Sequence, residues 1–189
     1  MVRTRLTPDA VIAAAAALAD DDGLAAVTLS ALARRLGVQT PSLYTHVRDH
    51  DAVLDGITAL ALTELAGRVS AAIAGRAGGA ALEAFAAAHR AYARESPGRW
   101  QALQRRAGAA AVRSPGAREL VELTGAVLRG YPVPEADHVH AIRLLGSAIN
   151  GFLALERIGS FDHSQPEPEV SWDKMVAVLD ATLRSWPAS

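Results

Sequence analysis

The stretch from Thr28 to Val47 constrains the fold most tightly, because two helices have to meet inside it. Leu29, Leu32, Ala33 and Leu36 recur at i, i+3, i+4 and i+7, one apolar stripe of a short helix, and Thr28 is a suitable N-cap in front of it. Gly37 stops that helix, since glycine takes the left-handed conformation past a helix end at little cost. Thr40-Pro41 then reads as an N-cap followed by proline in the first helical turn. The second helix buries Leu43 and Val47, four residues apart, and leaves Gln39, Thr40, Pro41, Ser42, Tyr44, Thr45 and His46 to face something else. The pattern predicts a helix-turn-helix whose second helix is short, polar and aromatic.

A helix, Gly-Val, a polar residue, Thr-Pro-Ser-Leu-Tyr-Thr-His-Val and an acidic start to the next helix near Asp49 resemble the N-terminal domain of the TetR family of transcriptional regulators, over roughly residues 5 to 60. Two positions depart from the family pattern. Val47 stands where the family usually has Phe, and the frequent lysine at the start of the fourth helix is replaced by the flanking Arg48 and His50. The resemblance implies an all-α fold of about nine helices, with a three-helix DNA-binding domain over residues 1–50 joined to a ligand-binding and dimerisation domain over residues 51–189. It also implies a ligand-responsive regulator, a repressor by default, binding a palindromic operator as a homodimer. Thr28, Gln39, Thr40, Pro41, Ser42, Tyr44, Thr45, His46 and Arg48 are the expected DNA-contacting residues.

Half the residues are apolar, few are aromatic, and alanine is abundant, which favours helices packed through small side chains. The absence of cysteine removes disulfides, thiolate metal sites and thiol switches. Net charge is close to zero, so the chain is not a generally basic nucleic-acid binder, yet Leu24 to Arg48 carries Arg34, Arg35 and Arg48 without an acid. Arg3 and Arg5, ahead of the first helix, form an arm suited to a phosphate or the minor groove. A polar start and the lack of an uninterrupted apolar span point to a cytoplasmic protein with no membrane partner.

Thr7-Pro8-Asp9 opens a first helix that runs to about Asp22, with Val11, Ala15 and Leu18 buried and Gly23 as its stop. Asp20-Asp21-Asp22 sits at the negative end of that helix and reads as a solvated charge run. Asp49 or Asp51 caps a long fourth helix bearing Val53, Ile57, Ala61, Leu65 and Val69 to about Ala74, a mechanical connector. A fifth helix is expected over 80–95, a short sixth from Pro97, a seventh after Ser114-Pro115-Gly116, an eighth over 135–158, and, after a loop through Ser171, a ninth over 172–186. The eighth is apolar on almost every face from Ala141 to Leu155, so it is expected to be buried on both sides, with helices eight and nine of two subunits forming a four-helix dimer bundle.

Phe85, His89, Tyr92, Trp100, Gln104, Arg143 and Asn150 are the candidate ligand-binding residues, aromatic groups interleaved with a few polar ones. They suit a small, mainly apolar effector. A buried Arg143 would meet an anionic group or an acidic neighbour, and Asn150 would meet backbone, a partner subunit or the ligand. The chain holds no phosphate loop, nucleophile elbow or zinc-protease motif, and neither His138 with His140 nor His46 with His50 makes a suitable ligand pair, so neither metal, cofactor nor enzymatic activity is expected. The competing expectation is a helical-bundle carrier or enzyme in which the helix-turn-helix is structural only.

Overall fold

A computed structural model describes residues 6–187, and all regular structure in them is helical. Ten α-helices follow in order: α1 (Pro8–Asp22), α2 (Leu29–Leu36), α3 (Thr40–Leu43), α4 (His50–Ile73), α5 (Gly78–Glu95), α6 (Pro97–Leu103), α7 (Ala109–Val112), α8 (Pro115–Leu128), α9 (His138–Arg157) and α10 (Pro168–Arg184). The tenth helix arises from α7, a single turn too short to show periodicity, so the predicted helices eight and nine are α9 and α10. α10 begins at Pro168, ahead of the expected Trp172, because Glu167 is extended, proline occupies the first turn and Glu169 faces the positive helix end. The all-α reading holds.

The chain divides into two compact units, residues 1–65 with 92–118 and residues 66–91 with 119–189. In the first, Val11, Ala15, Leu18, Val27, Leu32, Leu43, Val53 and Ile57 form one core, and Ala102 of α6 belongs to it. Each large aliphatic side chain there contributes about 1.5–3 kcal/mol by leaving water. Thr7 and Thr28 cap α1 and α2 as expected, each accepting a backbone N–H at 3.1 Å. α4 is capped by Asp49, which accepts from Ala52 N at 2.7 Å.

α6 is fastened to the end of α1. Asp20 Oδ1 accepts from both Gly98 N and Arg99 N at 2.9 Å, and its Oδ2 accepts from Arg99 Nε at 2.6 Å. Asp20 is therefore not part of a solvated run: the carboxylate that its own helix dipole disfavours caps the N-terminus of another helix. A Cβ on Gly98 would overlap the backbone of Ala19, so only glycine permits this approach. Arg99 also donates to Glu64 of α4 at 2.7 and 2.8 Å, and Tyr92 donates to the same carboxylate at 2.8 Å. Burial raises the pKa of the Tyr92 hydroxyl, and the Glu64 bond raises it further.

α4 is long and apolar enough to cross a membrane by length and composition alone. Its stripe of Val53, Ile57, Ala61, Leu65 and Val69 is nevertheless buried against protein, and Asp55 and Glu64 are ion-paired to Arg105 and Arg99.

In the second unit Ala141, Leu145, Ile149 and Leu153 of α9 and Trp172, Val176, Leu179 and Leu183 of α10 are buried. Burial of α9 on both sides is not what one chain shows: Leu144, Leu155 and Ile158 are 37%, 45% and 71% exposed. Arg90 of α5 is 4% exposed, pairs with Glu156 at 2.5 Å and Glu169 at 2.8 Å, and lies 4.7 Å from the Trp172 ring centre.

Candidate nucleic-acid interface

The turn between α2 and α3 is built as its residues require. Gly37 takes φ 66° and ψ 31°, and the N–H groups of Gly37 and Val38 both return to the Ala33 carbonyl, closing the end of α2. Gln39 is extended and occupies the N-cap position of α3, so Thr40, expected as the cap, is the first helical residue and Pro41 the second. No side chain caps α3. Regular helix lasts only to Leu43, after which Tyr44, Thr45 and His46 continue as a hydrogen-bonded turn, with His46 N and Val47 N both donating to Leu43 O.

Leu43 and Val47 anchor this short element in the core, 0% and 7% exposed. Gln39, Pro41, Ser42, Tyr44 and Thr45 are exposed, and Thr40 and His46 are half-buried. Tyr44 is 57% exposed, an outward aromatic that packing does not explain. All seven therefore lie on or beside one outward face, and they differ in what their polar atoms can still do. Thr45 already donates its hydroxyl to Ser42 O at 2.8 Å and can only accept. Thr28 accepts from Ala31 N and keeps its hydroxyl proton to donate. Gln39, Ser42 and Tyr44 keep their polar groups open to solvent.

Arg48 is 82% exposed at its side chain and pairs with Asp49 at 2.7 Å. The side-chain hydrogen bond to Asp49 raises the Arg48 pKa, and that same bond lowers the Asp49 carboxyl. An exposed pair of this kind is weak. His50 turns the other way: its Nε2 lies 2.6 Å from the Val27 carbonyl, which can only accept, so Nε2 carries the proton. Arg35 is held by Asp21 at 2.7 Å, whereas Arg34 is exposed and carries no ion pair among the described residues. Arg3 and Arg5 lie outside the described residues.

Sequence reasoning missed Arg105, which holds Asp55 of α4 at 2.6 Å while Gly108 N donates to the same oxygen at 3.0 Å. Burial pushes the Asp55 carboxyl up, and the two bonds outweigh it and leave its pKa lowered. An acid-free run of five arginines, from Ser96 to Arg118, was the available signal.

The ligand-binding candidates are distributed over both units. Phe85 and His89 stand in the second unit with ring centres 4.3 Å apart, and Tyr92 and Trp100 are buried in the first. His89 Nδ1 lies 2.8 Å from Phe85 O, and burial lowers its pKa. The Trp100 indole N–H is buried with no hydrogen-bond partner among the described residues. Gln104 and Arg143 are exposed. The expectation of a buried Arg143 is thus corrected: position 143 falls on the outer face of α9, between the buried Ala141 and Leu145. Asn150 is half-buried and donates to Gly146 O, one turn back, at 2.9 Å.

Both halves of the chain resemble known proteins. Residues 11–57 match the model of bacterial regulatory proteins of the tetR family, and residues 82–179 match that of the tetracyclin repressor-like C-terminal domain. An uncharacterized HTH-type transcriptional regulator of Bacillus subtilis, YobS, is 27% identical over 163 residues, covering 86% of this chain and 85% of its own. The class A tetracycline repressor from Escherichia coli is 44% identical over 61 residues, 32% of this chain and 28% of its own. In structure, a TetR variant from Acinetobacter baumannii in complex with minocycline aligns with a TM-score of 0.76 at 21% identity, covering 98% of this chain and all of that one. With both halves matched in order, the chain belongs to the TetR family of transcriptional regulators.

Proposed function

We propose that the protein is a ligand-responsive repressor that binds a palindromic operator as a homodimer, with its functional domain border near residue 50. The observation that carries this reading is the outward face of α3 and its following turn, polar and aromatic above a fully buried Leu43. Tyr44 and His46 suit phosphate oxygens, Arg48 and the Thr28 hydroxyl suit the same role, and Gln39, Thr40, Ser42 and Thr45 include the base readers, with Gln39 able to pair with adenine. Pro41 completes the contact surface.

Exposed apolar residues support the dimer. Leu144, Gly151 and Leu155 recur at helical spacing along α9 and Ile158 follows at its C-cap, Val170 and Val178 are exposed on α10, and a Cβ on Gly146 or Gly151 would meet nothing within 4 Å. Two such helices from each subunit form a four-helix bundle. The two reader helices then sit about 34–36 Å apart, in successive major grooves. A small, mainly apolar effector releases the operator by favouring another spacing of the readers, a population shift transmitted through α4 and through α6, which Asp20 and Arg99 tie to α1. Trp100 is retained as its contact because the indole N–H requires an acceptor. The DNA partner places the protein in the cytoplasm, acting by binding and not by catalysis.

Binding to duplex DNA that weakens steeply with salt is the test. Tyr44→Phe and His46→Ala should weaken binding to all sequences similarly and lower the salt slope. Absence of salt-dependent binding in the wild type would favour a helical-bundle carrier with a structural helix-turn-helix.

A further inference from the structure

Two acid-free stretches carry the first unit's unbalanced positive charge. The first, Leu24 to Arg48, contains the helix-turn-helix. The second, Ser96 to Arg118, holds Arg99, Arg105, Arg106, Arg113 and Arg118 and is not used by the reader helix. Arg99 and Arg105 are absorbed by Asp20, Glu64 and Asp55. Arg106 is exposed and carries no hydrogen bond or ion pair among the described residues.

Where Arg106 stands follows from its neighbours. Arg105 and Gly108 on either side are both fastened to Asp55, five residues into α4, or about 7.5 Å along the helix from His50. Asp55 is close enough to Arg48, at the edge of the reader, for each to perturb the other. Farther along, Gly116 packs on the backbone of Thr63, thirteen residues into α4 and about 20 Å from His50, so Arg118 lies at the remote end of the same stretch. The Debye length is about 8 Å at physiological salt, so Asp55, which anchors the residues flanking Arg106, stands within about one screening length of the start of α4, and Thr63, against which Gly116 packs, stands beyond two.

We propose that Arg106, between the two residues that Asp55 fastens to α4, is a second phosphate-contacting element, engaging the DNA backbone outside the bases read by α3. This rests on the DNA-binding reading. A cation placed here would add affinity for any duplex and no sequence preference.

The experiment needs no operator: binding of the full chain to a random-sequence 40-bp duplex is measured from about 50 to 200 mM salt. Arg106→Ala should lower the steepness of log K against log salt by about 0.9 per subunit. Arg106→Lys should restore it, and Arg118→Ala should leave it unchanged. An unaltered slope in Arg106→Ala, or an equal fall in Arg118→Ala, overturns the assignment while leaving the helix-turn-helix reading intact. A wild type without salt-dependent binding removes both.

Discussion

Replacing Asp20 with alanine removes three bonds at once and tests whether α1 and α6 are one mechanical piece. Loss of the cap on α6, where Asp20 accepts from Gly98 N and Arg99 N, costs about 1 kcal/mol. The Asp20–Arg99 pair is 13% and 27% exposed at its side chains, between the surface and buried cases. Arg99 retains Glu64, so loss of the pair adds about 1–2 kcal/mol. The sum, about 2–3 kcal/mol, corresponds to about 5–10 °C in a chain of this length. Asp20→Asn keeps an acceptor for the two backbone N–H groups and loses the charge, so it should fall between alanine and wild type. Thermal and urea unfolding followed by circular dichroism measure both, and the Asp20→Ala, Arg99→Ala double-mutant cycle isolates the pair. If Asp20→Ala unfolds within about 0.5 kcal/mol of wild type, the range of an ordinary surface substitution, the clamp has no energetic content and the reasoning fails. If Asp20→Asn equals Asp20→Ala, the capping contribution is wrong.

Two further outcomes follow from burial. His89 is neutral in the fold because desolvation lowers its pKa below 6.5, so the unfolded chain takes up a proton that the folded one refuses. Stability should therefore fall as pH drops through about 6.5, and His89→Gln should flatten that limb, leaving the carboxylate-linked loss below about pH 4; an unchanged limb in calorimetric melts would exclude His89 as its source. Leu155→Glu, at a position 45% exposed in one chain, should convert a dimer to a monomer with its helical content intact, whereas a sedimentation profile that is monomeric in the wild type would remove the α9–α10 interface.

The helix-turn-helix was legible because its signals are local: Thr28, Gly37 and Pro41 each act within a few residues of where they stand. Asp20 was misread because its partners, Gly98 and Arg99, are 78 and 79 residues away. The warning was electrostatic, a carboxylate at the wrong end of a helix that needed an outside donor. Arg90, with Glu156 and Glu169 as partners 66 and 79 residues on, was invisible for the same reason. The outward position of Arg143 could have been read from spacing, since it stands two from each of the buried positions Ala141 and Leu145. An apolar composition hid that phase. The start of α10 at Pro168 was a boundary error that proline itself could have corrected.

Because residues 92–118 belong to the first compact unit, the helix-turn-helix packs within a unit that extends beyond the family match at residues 11–57. A transplant of residues 1–65 onto another regulator carries Asp20, Asp55, Thr58 and Glu64 away from Arg99, Arg105, Ala102 and Tyr92, to which they are bonded. A host must present equivalent groups, including a glycine where Gly98 meets Ala19, or the graft arrives with carboxylates that have lost their cations. In this chain the unit that carries the helix-turn-helix is therefore written in two distant stretches of sequence, and a graft has to bring both.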